Sequence, residues 1–152
     1  MKICSVRVLY MDTDQMGVVN HAVALRWFEV ARAEWFRQRG QTYRQLEEDG
    51  VMLPVYQLAV RYRAPARYDD VLDLHARLDP PGAVRLTFHY KVVRATDQQP
   101  RSPSGSRDQA LLIEGMTQHA AVGTGGTPKR LPAPMLRFLT EQAQPSWPHD
   151  PA

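Results

Sequence analysis

The sequence contains little cysteine, no long apolar run and no block of like charge. A single cysteine, Cys4, stands among 152 residues, so the chain can form neither an internal disulfide nor a cysteine-based metal cluster. No stretch reaches 18 consecutive apolar residues, which predicts no membrane span, and residues 1–10 are too short and too polar for a signal peptide. The 19 basic and 16 acidic residues are interspersed, which argues against a nucleic-acid-binding arm. We therefore expect a cytoplasmic protein.

Metal and cofactor fingerprints are also missing. Residues 123–128 (GTGGTP) match neither a P-loop nor a dinucleotide-binding loop, because no Lys-Ser/Thr pair closes the segment and a proline takes the third glycine position. Residues 12–14 (DTD) begin like a calcium loop, but Met16 and Val23 stand where that loop needs further ligands. Four histidines show no ligand spacing: His75, His89, His119 and His149. We expect no metal and no cofactor, and the absence of GxSxG predicts no serine nucleophile.

The most informative stretch, residues 10–37, joins an acidic turn to a long apolar helix. An apolar stripe with helical period and a predicted N-cap at Asn20 indicate a helix over residues 21–39. The free N–H groups and the positive dipole end of such a helix stabilise developing negative charge. A carboxylate facing that site suits acyl transfer. Asp14 is therefore the candidate catalytic carboxylate, and the His21 backbone N–H is the candidate carbonyl-polarising group.

The residues themselves leave alternatives open around this stretch. Asp12 is interpreted as a loop-capping acid that accepts backbone N–H bonds. The two carboxylates could instead hold a hard cation weakly. The His21 side chain could act as an acid or base, as a pH-sensitive cap, or only in packing.

The rest of the chain predicts an α+β protein. Period-two alternation favours a sheet of antiparallel strands, and the one dominant helix packs against it. We predict one domain over residues 1–144, a loose tail at 145–152 and a mobile loop at 98–109. The predicted strands are 3–10, 55–63, 71–78, 84–94 and 110–122, and the predicted short helices are 42–50 and 133–142. Short connections among the later strands favour a meander.

Three arginines, Arg61, Arg63 and Arg67, cluster where the second strand ends. They form either a solvated strand face with extended side chains or a phosphate clamp. Spacing alone does not decide between these readings.

Residues 10–21 (YMDTDQMGVVNH), followed by 25–32 (LRWFEVAR), resemble the signature of the 4-hydroxybenzoyl-CoA thioesterase-like acyl-CoA thioesterases, in particular the branch associated with the Tol–Pal system. Residues 60–70 (VRYRAPARYDD) extend the resemblance. It implies a hot-dog fold, in which an antiparallel sheet wraps around one long central helix. It also implies a homodimer or homotetramer with sites at the subunit interface, and hydrolysis of an acyl-CoA thioester without metal or cofactor.

The resemblance also implies roles for individual residues. Asp14 matches the catalytic carboxylate, acting as nucleophile or general base, and the His21 N–H matches the donor that polarises the carbonyl. Tyr10 and the His21 side chain match supporting site residues. Asn20 and Ala24 stand where the family commonly has an aromatic residue and a tyrosine, which implies a roomier acyl pocket at these positions.

Further expectations concern the substrate. The three strand-end arginines fall where the family often meets the CoA phosphates. One rival is a thioesterase that acts on an acyl chain bound to a carrier protein, in which case the arginines would meet an acidic protein surface. A second rival is a non-catalytic hot-dog module that binds acyl ligands, although an intact Asp14 argues against it. A dehydratase of the same fold is less favoured, because its chemistry needs a differently placed histidine–acid pair.

Overall fold

The computed structural model describes residues 1–95 and 110–147 and contains one antiparallel sheet with a long helix on one face. The predicted loop at 98–109 and residues 148–152 of the predicted tail lie outside the described residues. The elements are β1 (Lys2–Arg7), a 3-10 turn (Tyr10–Asp12), α1 (Val23–Arg37), α2 (Tyr43–Glu48), β2 (Val55–Tyr62), β3 (Val71–Leu78), β4 (Arg85–Arg94), β5 (Leu111–Ala120) and α3 (Ala133–Gln142). The predicted α+β architecture, a hot-dog fold with an antiparallel sheet and one long central helix, is confirmed.

The strand order in the sheet is β1-β3-β4-β5-β2, and every neighbouring pair is antiparallel. The predicted meander is therefore confirmed for β3, β4 and β5 and wrong for β2, which pairs with β5 and not with β3. The link from β2 to β3 contains Pro65, which cannot donate a ladder hydrogen bond, and Asp69, whose φ is 70°. This link is not a tight hairpin, and β2 forms the far edge of the sheet.

Helix α1 lies across the sheet with its predicted apolar stripe buried. Ala24, Trp27 and Phe28 are at most 3% exposed, and so are the stripe residues one and two turns later. The helix begins at Val23 and ends at Arg37, two residues inside each predicted end. At its end the chain turns through Gly40, whose φ of 75° is left-handed and favours glycine.

Close packing between α1 and the sheet depends on Gly115 of β5. A Cβ atom added at Gly115 would lie 2.6 Å from the Phe28 ring and 2.6 Å from the Ala59 carbonyl oxygen, closer than any real contact. The Phe28 ring instead stacks on Tyr90, with ring centroids 4.4 Å apart. The missing side chain therefore lets the helix approach the sheet.

A buried cation joins α1 to α2 and to the sheet. Arg32 is 8% exposed, its Nε donates to the Tyr43 hydroxyl at 2.5 Å, and its Nη1 donates to the Tyr90 hydroxyl at 3.2 Å. Within residues 1–95 and 110–147 no carboxylate forms an ion pair with Arg32. Phenol oxygens therefore satisfy the charge, and burial raises the pKa of both tyrosines.

The hydrogen bonds continue from Tyr90 through the core. The Tyr90 and Thr117 hydroxyls are 2.8 Å apart, Thr117 Oγ1 is 2.8 Å from His119 Nε2, and His119 Nδ1 is 2.9 Å from the Leu53 carbonyl oxygen. Burial, followed by the charge of Arg32, lowers the pKa of His119 to about 4. We refer to Arg32, Tyr90, Thr117, His119 and the Leu53 carbonyl as the Arg32 chain.

Strand β2 differs from the rest of the sheet, because α1 does not cover its helix-facing side. Tyr56 lies over Arg85, on the other side of the sheet. On the helix-facing side, Tyr62 is 49% exposed and Leu58 is 46% exposed. With Val60 they form what we call the open face of β2. None of the helices in the described part of the chain is long and apolar enough to cross a bilayer.

Candidate active site

The loop between β1 and α1 is anchored by Asp12. This side chain is 1% exposed, and its Oδ2 accepts a hydrogen bond from the Leu9 N–H at 2.9 Å. Its Oδ1 pairs with Arg26 on α1. The loop-capping interpretation of Asp12 is confirmed, and both carboxylate oxygens are engaged by protein groups.

Asp14, two residues later, is exposed and sits at the start of a tight turn. Its Oδ1 accepts the Met16 N–H at 2.8 Å, and its carbonyl accepts the Gly17 N–H at 2.9 Å. Gly17 has a φ of 71°, which favours glycine. Among the described residues the second carboxylate oxygen, Oδ2, has no hydrogen-bond partner. The turn thus fixes the Asp14 carboxylate through one oxygen and leaves the other without a partner among the described residues.

The turn that precedes α1 presents a free backbone donor at His21. Asn20 caps this turn, because its Oδ1 accepts the Ala22 N–H at 2.9 Å and its carbonyl accepts the Val23 N–H at 3.0 Å. Within the described parts of the chain the His21 N–H has no acceptor. This is the group that sequence reasoning expected to polarise a carbonyl.

Asp14 and His21 line one cavity of about 390 Å³, together with Tyr62 and Arg63 from the end of β2. The remaining wall is apolar and consists of Val18, Val19, Ala64, Pro65, Ala66 and Ile113. A carboxylate, an unpaired N–H and an apolar wall can together receive a carbonyl compound that carries an apolar group.

Tyr62 belongs to this cavity and was not anticipated from the sequence. Its hydroxyl donates to the His21 carbonyl at 2.5 Å, and burial raises the pKa of the phenol. Its only sequence signal is its place in the motif at residues 60–70, which does not say what the ring contacts. The contact depends on β2 lying beside β5, because Tyr62 pairs with Ile113 in the register of the sheet.

Three other expected site residues do not line this cavity in the single chain. Tyr10 is 79% exposed and packs edge-to-face on Tyr68, with ring centroids 5.8 Å apart. Ala24 is fully buried on the sheet-facing side of α1, and the Asn20 side chain caps the turn. The roles of Tyr10, Asn20 and Ala24 remain predictions.

The arginine cluster divides into two parts. Arg61 and Arg63 both reach Glu114 on β5, with Nη1 of Arg61 at 3.7 Å and Nη2 of Arg63 at 2.6 Å from its Oε1. Arg67 instead extends toward the Asp14 turn, because a Cβ atom added at Gly17 would lie 4.0 Å from Arg67 Nη1. Arg63 lines the cavity, and Arg67 lies beside its acidic turn.

Metal ligands are not assembled anywhere in residues 1–95 and 110–147, where no three His, Cys, Asp or Glu side chains lie close enough to hold an ion. Asp12, the other acid of the loop, already contacts Arg26 and a backbone N–H.

Comparisons with known proteins identify the family of this chain. The model of the thioesterase-like superfamily matches residues 8–142. The chain is 37% identical over 90 residues to an acyl-CoA thioester hydrolase, YbgC, of Escherichia coli O6:H1, covering 59% of this chain and 67% of that protein. Matches span 63% to 69% of the length of three curated relatives.

Solved structures resemble the whole described fold. A hypothetical protein from Thermus thermophilus superposes with a TM-score of 0.80 at 32% identity, covering 93% of this chain and 99% of that one. A DHNA-CoA thioesterase from Staphylococcus aureus superposes with a TM-score of 0.72 at 25% identity, covering 86% and 80%.

Proposed function

This chain belongs to the thioesterase-like superfamily of hot-dog proteins, and from that premise we propose that it hydrolyses acyl-CoA thioesters in the cavity that holds Asp14 and His21. One observation carries the proposal: Asp14, whose carboxylate has a free oxygen, and His21, whose backbone N–H has no acceptor within the described residues, line the same cavity. The relatives named as acyl-CoA thioester hydrolases support the choice of substrate class.

The proposed reaction assigns a step to each group. The thioester carbonyl oxygen accepts the His21 N–H, which stabilises the negative charge that develops as the carbonyl carbon is attacked. With Asp14 as general base, its carboxylate takes a proton from water, the resulting hydroxide attacks, and the C–S bond breaks. The departing thiolate takes up the proton, so the products are a free acid and CoA.

Asp14 could instead attack the carbonyl carbon directly, forming an acyl–carboxylate anhydride that water then hydrolyses. The two routes differ in the fate of oxygen when water attacks the anhydride at the Asp14 carbon. A single turnover in H₂¹⁸O places the label in the released acid by the general-base route. Direct attack followed by hydrolysis at the acyl carbon releases an acid that carries one oxygen from water, but attack at the Asp14 carbon transfers the label to Asp14.

The test of the proposal is Asp14→Asn, which keeps the shape of the side chain and removes the base or nucleophile. We expect thioester turnover to fall at least ~100-fold, the low end of general-base contributions. The matched control is Asp49→Asn, an exposed carboxylate after α2 that does not line the cavity. Turnover by a folded Asp14→Asn protein within a factor of three of the parent would contradict the assignment.

We further propose that the working unit is a homodimer joined through the open face of β2. Edge strands carry unpaired backbone N–H and C=O groups, and this one also exposes Tyr62 and Leu58 on one side. A second copy would cover this face and add a wall to the neighbouring cavity. Support comes from the exposure of the open face and from the interface sites implied by the family resemblance.

The remote end of the substrate is assigned to Arg63 and Arg67. Both are exposed cations, one lining the cavity and the other beside the Asp14 turn, and a guanidinium suits phosphate oxygens. Arg61 does not line the cavity, although it shares Glu114 with Arg63. An acyl group on a carrier protein would lack the nucleotide phosphates, so these arginines also separate the two substrate classes.

A further inference from the structure

The turn before α1 is stabilised by a hydrogen bond from a residue outside the helix. The carbonyls of Asn20 and Ala22 each accept a backbone N–H from three residues later, at 3.0 and 3.2 Å. Among the described residues, no backbone N–H donates to the His21 carbonyl that lies between them. The Tyr62 hydroxyl donates to it instead, at 2.5 Å.

Because a side-chain hydroxyl takes the place of a backbone donor, the turn differs from a regular helical turn. In a regular α-helix the His21 carbonyl would bind the N–H of Leu25, four residues later. Here that N–H binds the Ala22 carbonyl, and α1 begins only at Val23. His21 therefore stays in the turn outside the helix, with its own N–H unpaired.

We propose that Tyr62 is a positioning residue: by holding the His21 carbonyl, its hydroxyl keeps His21 in the turn and directs the His21 N–H into the cavity. The inference rests on the proposed function and adds to it a residue from another element, the last position of β2. The Asn20 end of the same turn is anchored independently, because the Asn20 N–H donates to the Asp12 carbonyl at 2.8 Å. Tyr62 supplies the anchor that faces the sheet.

The contribution of the His21 N–H to kcat depends on its position. A donor stabilises an oxyanion only within about 2.7–3.1 Å of the oxygen, and loss of one such donor costs about 100- to 1,000-fold in kcat. If Tyr62 loses its hydroxyl, the turn can wind into the helix and displace the N–H without removing it. We expect part of that cost, about 10- to 30-fold in kcat. KM should stay within about twofold, because the contact strengthens in the transition state.

The experiment compares Tyr62→Phe with Tyr56→Phe. The two tyrosines share β2 and an exposure of 49%, but Tyr56 lies on the other side of the sheet, and only Tyr62 has a hydroxyl bonded within the described residues. Both substitutions remove one oxygen and keep the ring. We expect the kcat loss with Tyr62→Phe alone, measured well below the unfolding temperature of either variant.

A second measurement needs no substrate. Backbone ¹⁵N–¹H spectra and amide hydrogen exchange should show displaced shifts for His21 and Ala22 in Tyr62→Phe, and parent-like shifts in Tyr56→Phe. A merely structural role would lower the melting temperature and leave kcat and these shifts at their parental values, and that result would overturn the inference.

The outcomes separate this inference from the proposed function. If Asp14→Asn loses turnover and Tyr62→Phe matches Tyr56→Phe in kcat, the positioning role is overturned and the proposed function stands. If the parent hydrolyses no acyl-CoA, the proposed function fails. The amide shifts of His21 then decide the positioning role alone, and unchanged shifts overturn it.

Discussion

The helix-facing side of the sheet has two halves that differ in how completely the chain covers them. In the covered half, formed by β3 and β4 beneath α1, Leu74, Phe88 and Tyr90 are at most 1% exposed. In the open half, formed by the open face of β2 and the adjoining cavity, Leu58 is 46% exposed. The covered half is completed by this chain, and the open half contains the catalytic candidates.

The two halves differ in what they contribute: the covered half stabilises the fold, and the open half holds the candidate catalytic groups. One helix is about 10 Å wide with its side chains, and neighbouring strands are about 4.8 Å apart, so α1 cannot cover five strands. Polar groups in the covered half are joined in the Arg32 chain, but the open half leaves the His21 N–H unpaired. A change in the open half should therefore affect assembly and turnover first, and a change in the covered half should affect unfolding.

The largest effect should follow from a charge placed in the open half. Leu58→Asp buries a carboxylate at the proposed interface, and two-fold symmetry repeats the penalty, giving several kcal/mol in total. We expect the parent to sediment as a dimer at micromolar concentration and the variant as a monomer with little activity. Gln57→Asp, on the opposite face of β2, is the control and should remain dimeric. A fully active monomeric parent would contradict the proposal.

A smaller effect should appear in the covered half as the pH falls. Burial lowers the pKa of His119 to about 4, so the unfolded chain binds a proton that the folded protein excludes. The corresponding stability is complete above about pH 6.5 and is lost as the pH falls towards 4, by about 3 kcal/mol at 1.36 kcal/mol per pKa unit.

Urea unfolding at several pH values checks this prediction. The slope between pH 6.5 and 4.5 should be smaller in His119→Gln than in the parent. It should not vanish, because burial also lowers the pKa of His75 to about 4. A free energy of unfolding that stays constant over this range would show that the covered half does not exclude the proton.

The smallest effect concerns the rim of the open half. Arg63→Ala and Arg67→Ala should each raise KM for acyl-CoA a few-fold, about 1 kcal/mol, and leave kcat nearly unchanged, because phosphate contacts are equal in ground and transition states. The effect should shrink at high salt. Arg44→Ala, an exposed arginine in α2, is the control.

The deciding comparison uses the same acyl group on CoA and on pantetheine. If the arginine variants weaken both substrates alike, the arginines are structural. If the parent prefers neither substrate, the nucleotide clamp is wrong, and the carrier-protein alternative gains support.

Local sequence signals predicted most of the elements. The bounds of β3 and α3 match the structure, because period-two alternation and flanking prolines mark them clearly. The ends of α1 were placed two residues too far out on each side, since capping at Asn20 continues through a turn before the helix begins. The partner of β2 was wrong, because alternation shows which residues share a face but not which strand lies alongside.

For the candidate site too, local sequence signals predicted some residues and strand pairing determined the others. Asp14 and His21 are close in sequence, so one motif could place both beside the helix N-terminus. Tyr62 and Arg63 reach the cavity only through the pairing of β2 with β5, which no local pattern encodes. Sequence analysis therefore identified the candidate reacting groups and missed the residue that we propose to position one of them.

The hydrogen bonds of the Arg32 chain all run in one direction. Arg32 can only donate and the Leu53 carbonyl can only accept, so each group between them has one allowed orientation. Tyr90 donates to Thr117, Thr117 donates to His119 Nε2, and the imidazole proton resides on Nδ1. The O–H and N–H dipoles therefore all point from the central helix towards the loop before β2. The interior of this protein is polarised along a single line, and one proton added at Nε2 would force the Thr117 hydroxyl to reverse.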